Sequence, residues 1–327
     1  MKNLDNYDQF SVQEKWYIMS MVANLYYNKN LTQDEIAKRI YTSRSKVSRL
    51  LKEAKELGIV EIRIQELWER SLNYEERLKE EFDIKYIRVV QIDSQDIEKS
   101  LERLGEVTAY YVDSMIDDHM TVGISFGSTL YHVVKHIYHK EKKNISITVI
   151  PIMGAMRLAQ PECDSIDLTK NLALAYGGDY KYLPAPFFVK NEMLQESLLQ
   201  EKDIREVLDL AREADMILTS VGNVPECIWS EALEPEIWNR LSEKGAVGSI
   251  GGHIYDMEGR EVDDTLKHRT IGLNLQEFRN NQNVVCIAHG EQKAKAVLGG
   301  LRGGYINTLI IDQTCAKEMI RLMEQNE

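Results

Sequence analysis

Residues Leu31–Ile64, LTQDEIAKRIYTSRSKVSRLLKEAKELGIVEIRI, set out two short helices, a tight turn and an alternating apolar strand. This is the layout of a DNA-binding helix-turn-helix with a β-wing. Thr32 is placed to cap the first helix, with Glu35 three residues on to reach back to its amide, and Ile36 and Ile40 supply an apolar face. Ser43 caps the second helix. Beyond it Val47, Leu50, Leu51, Ala54 and Leu57 fall at helical spacing and leave Arg44, Ser45, Lys46, Ser48, Arg49 and Lys52 outward, groups suited to phosphates and base edges. Gly58 stops this helix, and Ile59-Val60-Glu61-Ile62-Arg63-Ile64 alternates as the wing. Upstream, Val12–Tyr27 predicts a helix whose stripe of Trp16, Met19, Val22, Ala23 and Tyr26 packs the small domain.

Charge separates this module from the rest. Residues 1–65 carry 11 basic against 8 acidic side chains, whereas residues 66–327 carry 29 against 44, and the whole chain is −12. Between Lys38 and Lys55 there are seven basic groups and a single acid, Glu53. A polyanion is repelled by most of this protein and drawn to one helix, as expected of a DNA reader with an acidic regulatory body.

At 327 residues and 43% hydrophobic, the chain is long enough for a small module and one larger domain. No apolar run approaches a membrane span and MKNLDNYDQF has no signal-peptide core, so a cytoplasmic protein is expected. Cys163, Cys227, Cys286 and Cys315 are scattered, with no CxxC pair and no clustered His, so they read as buried thiols, and neither a disulfide framework nor a metal site nor a cofactor is indicated. Glu66–Phe82 is highly charged, yet Leu67, Ser71, Tyr74, Leu78 and Phe82 recur every three or four residues; so narrow a seam suits a linker helix that pairs with a second subunit. The expected domains are therefore a reader over 1–65, a linker and dimerisation helix over 66–83, and a large domain over 84–327.

From Ile84 onward apolar strands alternate with helices. The strands are expected at Tyr86–Ile92, Met120–Ser125, Ile145–Ile152, Met216–Val221, Ala246–Ile250, Val284–Ala288 and Thr308–Ile311, and the helices near Asp96–Asp117, after Ser128, at Ser165–Tyr176, at Glu291–Leu301 and from Asp312. Such runs predict an α/β fold with a doubly wound parallel sheet, whose ligands sit at strand C-termini. Three loops fall at those ends. Gly123-Ile124-Ser125-Phe126-Gly127-Ser128-Thr129 offers helix-start amides and hydroxyls to an anion, although no Walker lysine and no GxGxxG is present. Ser220-Val221-Gly222-Asn223 places Asn223 to bond a hydroxyl or to hold the turn. Ala288-His289-Gly290-Glu291-Gln292-Lys293 brings a cation to a helix N-terminus, against the macrodipole, where a bound anion explains it better than helix stability does.

The patterns TQxEIA and SRxxVSRLLxxAxxxGIVxIxI, followed by VGISFGSTL, VGSIGGHIYDMEGREVD and KAKAVLGGLRGGYINTLIIDQTCA, resemble the SorC-type sugar-binding transcriptional regulators over Ser11 to Met323. The resemblance implies a winged helix-turn-helix joined to a Rossmann-like sugar-phosphate-binding domain related to phosphosugar isomerases and deaminases. That domain is a receptor in the family, and members are typically homotetramers built as pairs of dimers. It further implies operator DNA and a phosphorylated sugar or polyol as partners. Gln33, Ser43, Arg44, Ser45, Lys46, Ser48 and Arg49 are then DNA-reading, and Gly127, Ser128, Thr129, Gly222, Asn223, Ser249, Asp256 and Lys293 effector-binding. Two positions depart from the family pattern. Ser249 stands where many members have an acidic residue contacting sugar hydroxyls, so recognition there is expected to be weaker, to use Asp256 or to take a different pose. Met153 stands where one branch has a lysine that forms a Schiff base with deoxyribose phosphate, so no imine is expected there. The contrasting expectation is a phosphosugar isomerase or deaminase with a fused DNA-binding module, whose base would come from Asp256, Asp263, Asp264, His289 or Glu291. The stretch Asp256-Met257-Glu258-Gly259-Arg260 reads more readily as a hairpin turn than as an active site.

Overall fold

The computed structural model describes residues 7, 10–60, 69–92, 96–138, 145–156, 160–224, 235–262 and 264–325, and the chain divides into two units, Met1–Leu67 and Trp68–Glu327. The first unit contains α1 (Val12–Ala23), α2 (Gln33–Arg39) and α3 (Arg44–Glu56). Thr32 caps α2 in a capping box, accepting from Glu35 N at 3.3 Å while donating its own amide to Glu35 at 2.8 Å. Ser43 caps α3 through Lys46 N at 3.2 Å. The end of α3 is closed by Gly58 at φ +71°, with Gly58 N on Lys55 O and Ile59 N on Ala54 O, which together satisfy the last carbonyls in a Schellman motif.

Met19, Val22, Ile36, Val47, Leu50, Leu51 and Ala54 are buried together as the core of this unit. Two expected core members are not. Trp16 is 48% exposed because the buried stripe of α1 begins a turn later, at Met19, and Leu57 is 52% exposed because it falls at the C-cap of α3, beyond the packed turns. The expected wing lies largely outside the described residues, as do Glu61–Ile64; Ile59 and Val60 pack against the core.

The second unit runs α4 (Leu72–Glu81), β1 (Tyr86–Val90), α5 (Ile97–Met115), β2 (Thr121–Ile124), α6 (Ser128–Tyr138), β3 (Thr148–Pro151), α7 (Ser165–Tyr176), β4 (Asp179–Tyr180), α8 (Glu192–Gln200), α9 (Lys202–Arg212), β5 (Met216–Thr219) and β6 (Gly222–Asn223). It continues through α10 (Pro235–Glu243), β7 (Gly248–Ile250), β8 (His253–Tyr255), α11 (Asp264–Lys267), α12 (Leu275–Asn280), β9 (Val284–Ala288), α13 (Ala294–Arg302), β10 (Thr308–Asp312) and α14 (Gln313–Glu324). Seven strands form one parallel sheet in the order β1-β10-β9-β5-β2-β3-β4.

Alternate residues of each strand face opposite ways. Ile87, Leu309 and Cys286 pack with Leu78, Val297 and Met319 of α4, α13 and α14. Val90, Ile310 and Val285 pack with Leu104, Leu130 and Leu172 of α5, α6 and α7. Both faces are therefore covered, which is why the strands read as nearly continuous apolar runs.

Two expectations are corrected. Ala246–Ile250 is not a strand of the parallel sheet: β7 belongs to a separate antiparallel sheet, β6-β7-β8, turned by Gly251-Gly252. The seam over 66–83 is consumed within its own unit. Leu78 is fully buried against β1 and α14, and the buried Glu75 accepts Val89 N at 3.0 Å and pairs with Arg70, so α4 is a packed element of the large unit. Leu67 of that seam lies outside the described residues. Cys163, Cys286 and Cys315 are buried free thiols, as expected; Cys227 lies outside the described residues.

Candidate functional site

On the small unit, α3 presents Arg44, Ser45, Ser48 and Arg49 to solvent beside the exposed Ser43 cap, while Gln33 is half-buried at the first residue of α2. Arg44 lies 3.8 Å from Asp34 in a surface pair too exposed to hold it. Lys46 departs from the expected outward face. Its ammonium sits 4.2 Å from the centre of the Tyr7 ring, so part of its charge is already engaged.

On the large unit, the expected loops converge. In the parallel sheet β2 continues outward to β3 and β4, whereas β5 begins the return on the other side of β2 toward β9, β10 and β1. The loops leaving β2 and β5 therefore diverge, and a crevice opens at the carboxyl ends of the two strands. Ser125, Phe126, Gly127, Ser128 and Thr129 line it from the β2–α6 loop, and Ser220, Val221, Gly222 and Asn223 from the β5–β6 loop. Ser249, Gly251 and Gly252 join from β7 and its turn, and Lys293 from the single 3-10 turn Glu291–Lys293 before α13. The cavity is about 220 Å³.

Gly127 takes φ +124°, a conformation side chains rarely adopt, and its carbonyl accepts Tyr131 N at 3.0 Å to start α6. The first amides of that helix have no intrahelical acceptor and lie beside the Ser128 and Thr129 hydroxyls. Opposite, Lys293 Nζ donates to Ser220 Oγ at 3.0 Å. The residue is partly exposed but its charged end is enclosed, and burial pulls its pKa below the ordinary lysine value, with Cys286 and Cys315 opposing. The same enclosure pushes the Cys286 thiol up to about 12. Among the described residues no carboxylate forms an ion pair with Lys293, so a desolvated cation faces the cavity with a hydroxyl as its hydrogen-bond partner. An anion supplied from outside completes such a site.

Ser249 is buried and paired in register with Gly222. Asp256 is not among the lining residues: its Oδ1 accepts Glu258 N at 3.0 Å and Arg260 N at 2.8 Å, holding the turn after β8. His289 and Glu291 are also absent from the lining, His289 facing Asp312 at 3.7 Å, and Asp263 lies outside the described residues.

One wall is apolar and was not foreseen in this role. Phe187 and Phe126 meet edge to face at 5.4 Å, with Met153 beside them. Phe187 arrives on an irregular segment held by the bridges Ala155↔Pro186 and Phe188↔Thr270. Met153, read as the position of a missing imine lysine, does line the cavity.

Residues 67–321 match the family described as "Putative sugar-binding domain", and residues 19–67 match the MarR family. The chain is 28% identical over 310 residues to the deoxyribonucleoside regulator of Bacillus subtilis, covering 94% of this chain and 98% of that one. It is 25% identical to the sorbitol operon regulator of Klebsiella pneumoniae, covering 92% and 96%. The crystal structure of the full-length Klebsiella regulator superposes with a TM-score of 0.72 over 93% of this chain and 98% of that chain, at 24% identity. A DeoR family transcriptional regulator from Listeria monocytogenes gives 0.68 over 76% and 98%, at 26% identity. These relatives are regulators, and none supports the isomerase or deaminase expectation. With its helix-turn-helix module and a parallel-sheet α/β unit matched along nearly its whole length, the chain belongs to the sugar-binding-domain family of SorC-type transcriptional regulators.

Proposed function

We propose that this protein is the repressor of a carbohydrate-catabolic operon and that a phosphorylated sugar or polyol, seated in the cavity at the β2 and β5 ends, releases it from operator DNA. The observation that carries this reading is Lys293, an enclosed ammonium opposite the first turn of α6 with no carboxylate beside it among the described residues. The phosphate docks on the amides and hydroxyls of Ser128 and Thr129, where Gly127, its own amide held by Cys163 O at 2.9 Å, turns the chain into α6, and against Lys293. Asn223, Ser220 and Ser249 bond the sugar hydroxyls, and Phe126, Phe187 and Met153 cover the carbon skeleton. Asp256 has no part in this set. The doubly wound, Rossmann-like arrangement, with the site at the switch of strand order, supports kinship with phosphosugar isomerases and deaminases used here as a receptor.

DNA is read by Arg44, Ser45, Ser48 and Arg49 of α3, with Gln33 and Ser43 on the backbone and Lys46 a lesser contributor. The reader ends near residue 65 and the effector domain begins with α4. Two readers on a two-fold operator require a dimer, and we propose a homodimer or a dimer of dimers assembled through the large unit, working in the cytoplasm. No described helix is long and apolar enough to cross a membrane.

Release needs only that the effector favour one arrangement of the oligomer. A preference of about 3 kcal/mol lowers operator occupancy by roughly two orders of magnitude, and DNA then weakens effector binding equally. Isothermal titration of the protein with phosphorylated sugars and their free counterparts tests the pocket. Binding of a phosphorylated compound with no binding of its free sugar supports it, and equal binding of both removes the phosphate site.

A further inference from the structure

On the helical face opposite α13 and α14, two i,i+4 pairs confront each other: Glu98 and Glu102 on α5, and His132 and His136 on α6. The helices meet closely because α5 has a glycine there. A Cβ at Gly105 would lie 2.7 Å from the His132 carbonyl carbon. His132 is 3% exposed, with Nε2 at 3.6 Å from Glu98 and Nδ1 at 3.5 Å from Glu102. His136 Nε2 lies 2.8 Å from the other oxygen of Glu102. Both His132 Nδ1 and His136 Nε2 are shielded from solvent, and neither has a hydrogen-bond partner among the described residues. The nitrogens and oxygens thus converge without hydrogens aligned between them.

We propose that Glu98, Glu102 and His132, with His136 flanking, form a site for one divalent transition-metal ion of the zinc type. One ligand atom from each of Glu98, Glu102 and His132 lies within 4.8 Å of the others, a set that closes on a central ion with small side-chain movements. Mixed imidazole and carboxylate donors suit zinc and its neighbours rather than magnesium or calcium. Without metal, Lys135 serves as the counter-ion by bonding Glu102; its part-exposed side chain is free to turn outward when an ion enters. A bound ion clamps α6 to α5 just beyond the loop that opens the proposed effector cavity. The histidine pair and the acid pair come from separate elements, so spacing along the chain does not join them.

The test is calorimetric titration of tag-free, chelator-stripped full-length protein with Zn²⁺ alone. The wild type is expected to take one ion per chain. Glu98→Gln, a change on an exposed side chain, and His136→Ala should each weaken binding by at least roughly tenfold. Lys135→Ala, by removing the competing cation, should tighten it. Circular dichroism checks folding, and Glu98→Gln with Lys135→Ala decides the matter even if His136→Ala unfolds. Absence of stoichiometric binding, binding indifferent to Glu98→Gln, or weaker binding in Lys135→Ala each overturns the site and leaves an ion-pair network.

Discussion

Replacing Lys293 by Met keeps the unbranched stem of the side chain to within one atom and removes its charge, which separates the two roles this residue would otherwise confound. With effector present, the lost interaction is a charge-assisted hydrogen bond to phosphate, about 1.5–3 kcal/mol, or roughly tenfold to 150-fold in affinity. Without effector the sign reverses. The folded protein holds this ammonium below its ordinary pKa of 10.5 because burial penalises the charge. In the window between that lowered value and 10.5 the unfolded chain binds more protons than the folded one, so stability of the wild type rises with pH there. Lys293→Met has no such proton to lose. Its effector-free stability should match or exceed the wild type at neutral pH, and the rise toward high pH should shrink. Effector titration by calorimetry and urea unfolding across alkaline pH read both arms. Unchanged effector affinity together with an unchanged pH slope would refute the enclosed cation as the anion site.

Other perturbations separate the two units and test the packing around the cavity. Arg49→Ala should cost about 1–3 kcal/mol in operator binding measured by anisotropy while leaving effector affinity as it was, since the residue lies on the exposed face of α3; loss of both would deny the separation of functions. Gly252→Ala should both destabilise the large unit and weaken effector binding. The residue takes φ +84° and its new Cβ would sit 2.6 Å from the Phe187 ring, costing about 1–3 kcal/mol from overpacking alone. Effector binding at wild-type strength in that variant would argue that Phe187 is not a wall of the site. Glu75→Ala leaves Arg70 and the Val89 amide without their carboxylate, and urea unfolding of the large unit should show a loss of about 3–5 kcal/mol; a loss below 1 kcal/mol would mean that α4 is only loosely docked.

The helix-turn-helix was legible because local chemistry decides it. Thr32 with Glu35, Ser43, and Gly58 each act within a few residues of themselves, and the structure uses each as the sequence suggests. The parallel sheet was legible for a different reason: strands buried on both faces have few polar interruptions. Gly127, Ser128, Thr129 and Lys293 come together because strand ends in such a fold share one edge, while Gly222, Asn223 and Ser249 join them from the small antiparallel sheet that follows β5.

What escaped depends on long-range pairing. The Gly251-Gly252 turn, both residues at positive φ, is a two-residue hairpin signal between apolar strands, yet the strand before it was placed in the wrong sheet. Phe187 carries no local pattern at all; it reaches the cavity through bridges to residues 155 and 270 on either side. The seam from Leu67 to Phe82 has the spacing of an intersubunit contact, and only the presence of β1 and α14 shows that Leu78 within it is already covered. Asp256 illustrates the opposite case: an acidic residue whose Oδ1 holds the amides of its own turn and which does not line the cavity.

The central proposition is that one molecule joins an operator reader to a phosphosugar receptor. Fluorescence anisotropy of a labelled duplex from upstream of the protein's own operon, at fixed salt, addresses it directly when titrated with and without phosphorylated sugars and their free forms. A single phosphorylated compound should move the binding curve by roughly two orders of magnitude while its free sugar leaves it in place, and Lys293→Met should bind the duplex normally and respond only at roughly tenfold to 150-fold higher concentrations of that compound. Tight binding indifferent to every compound, or an equal response to a free sugar, would contradict the coupling of the two units through a phosphate site.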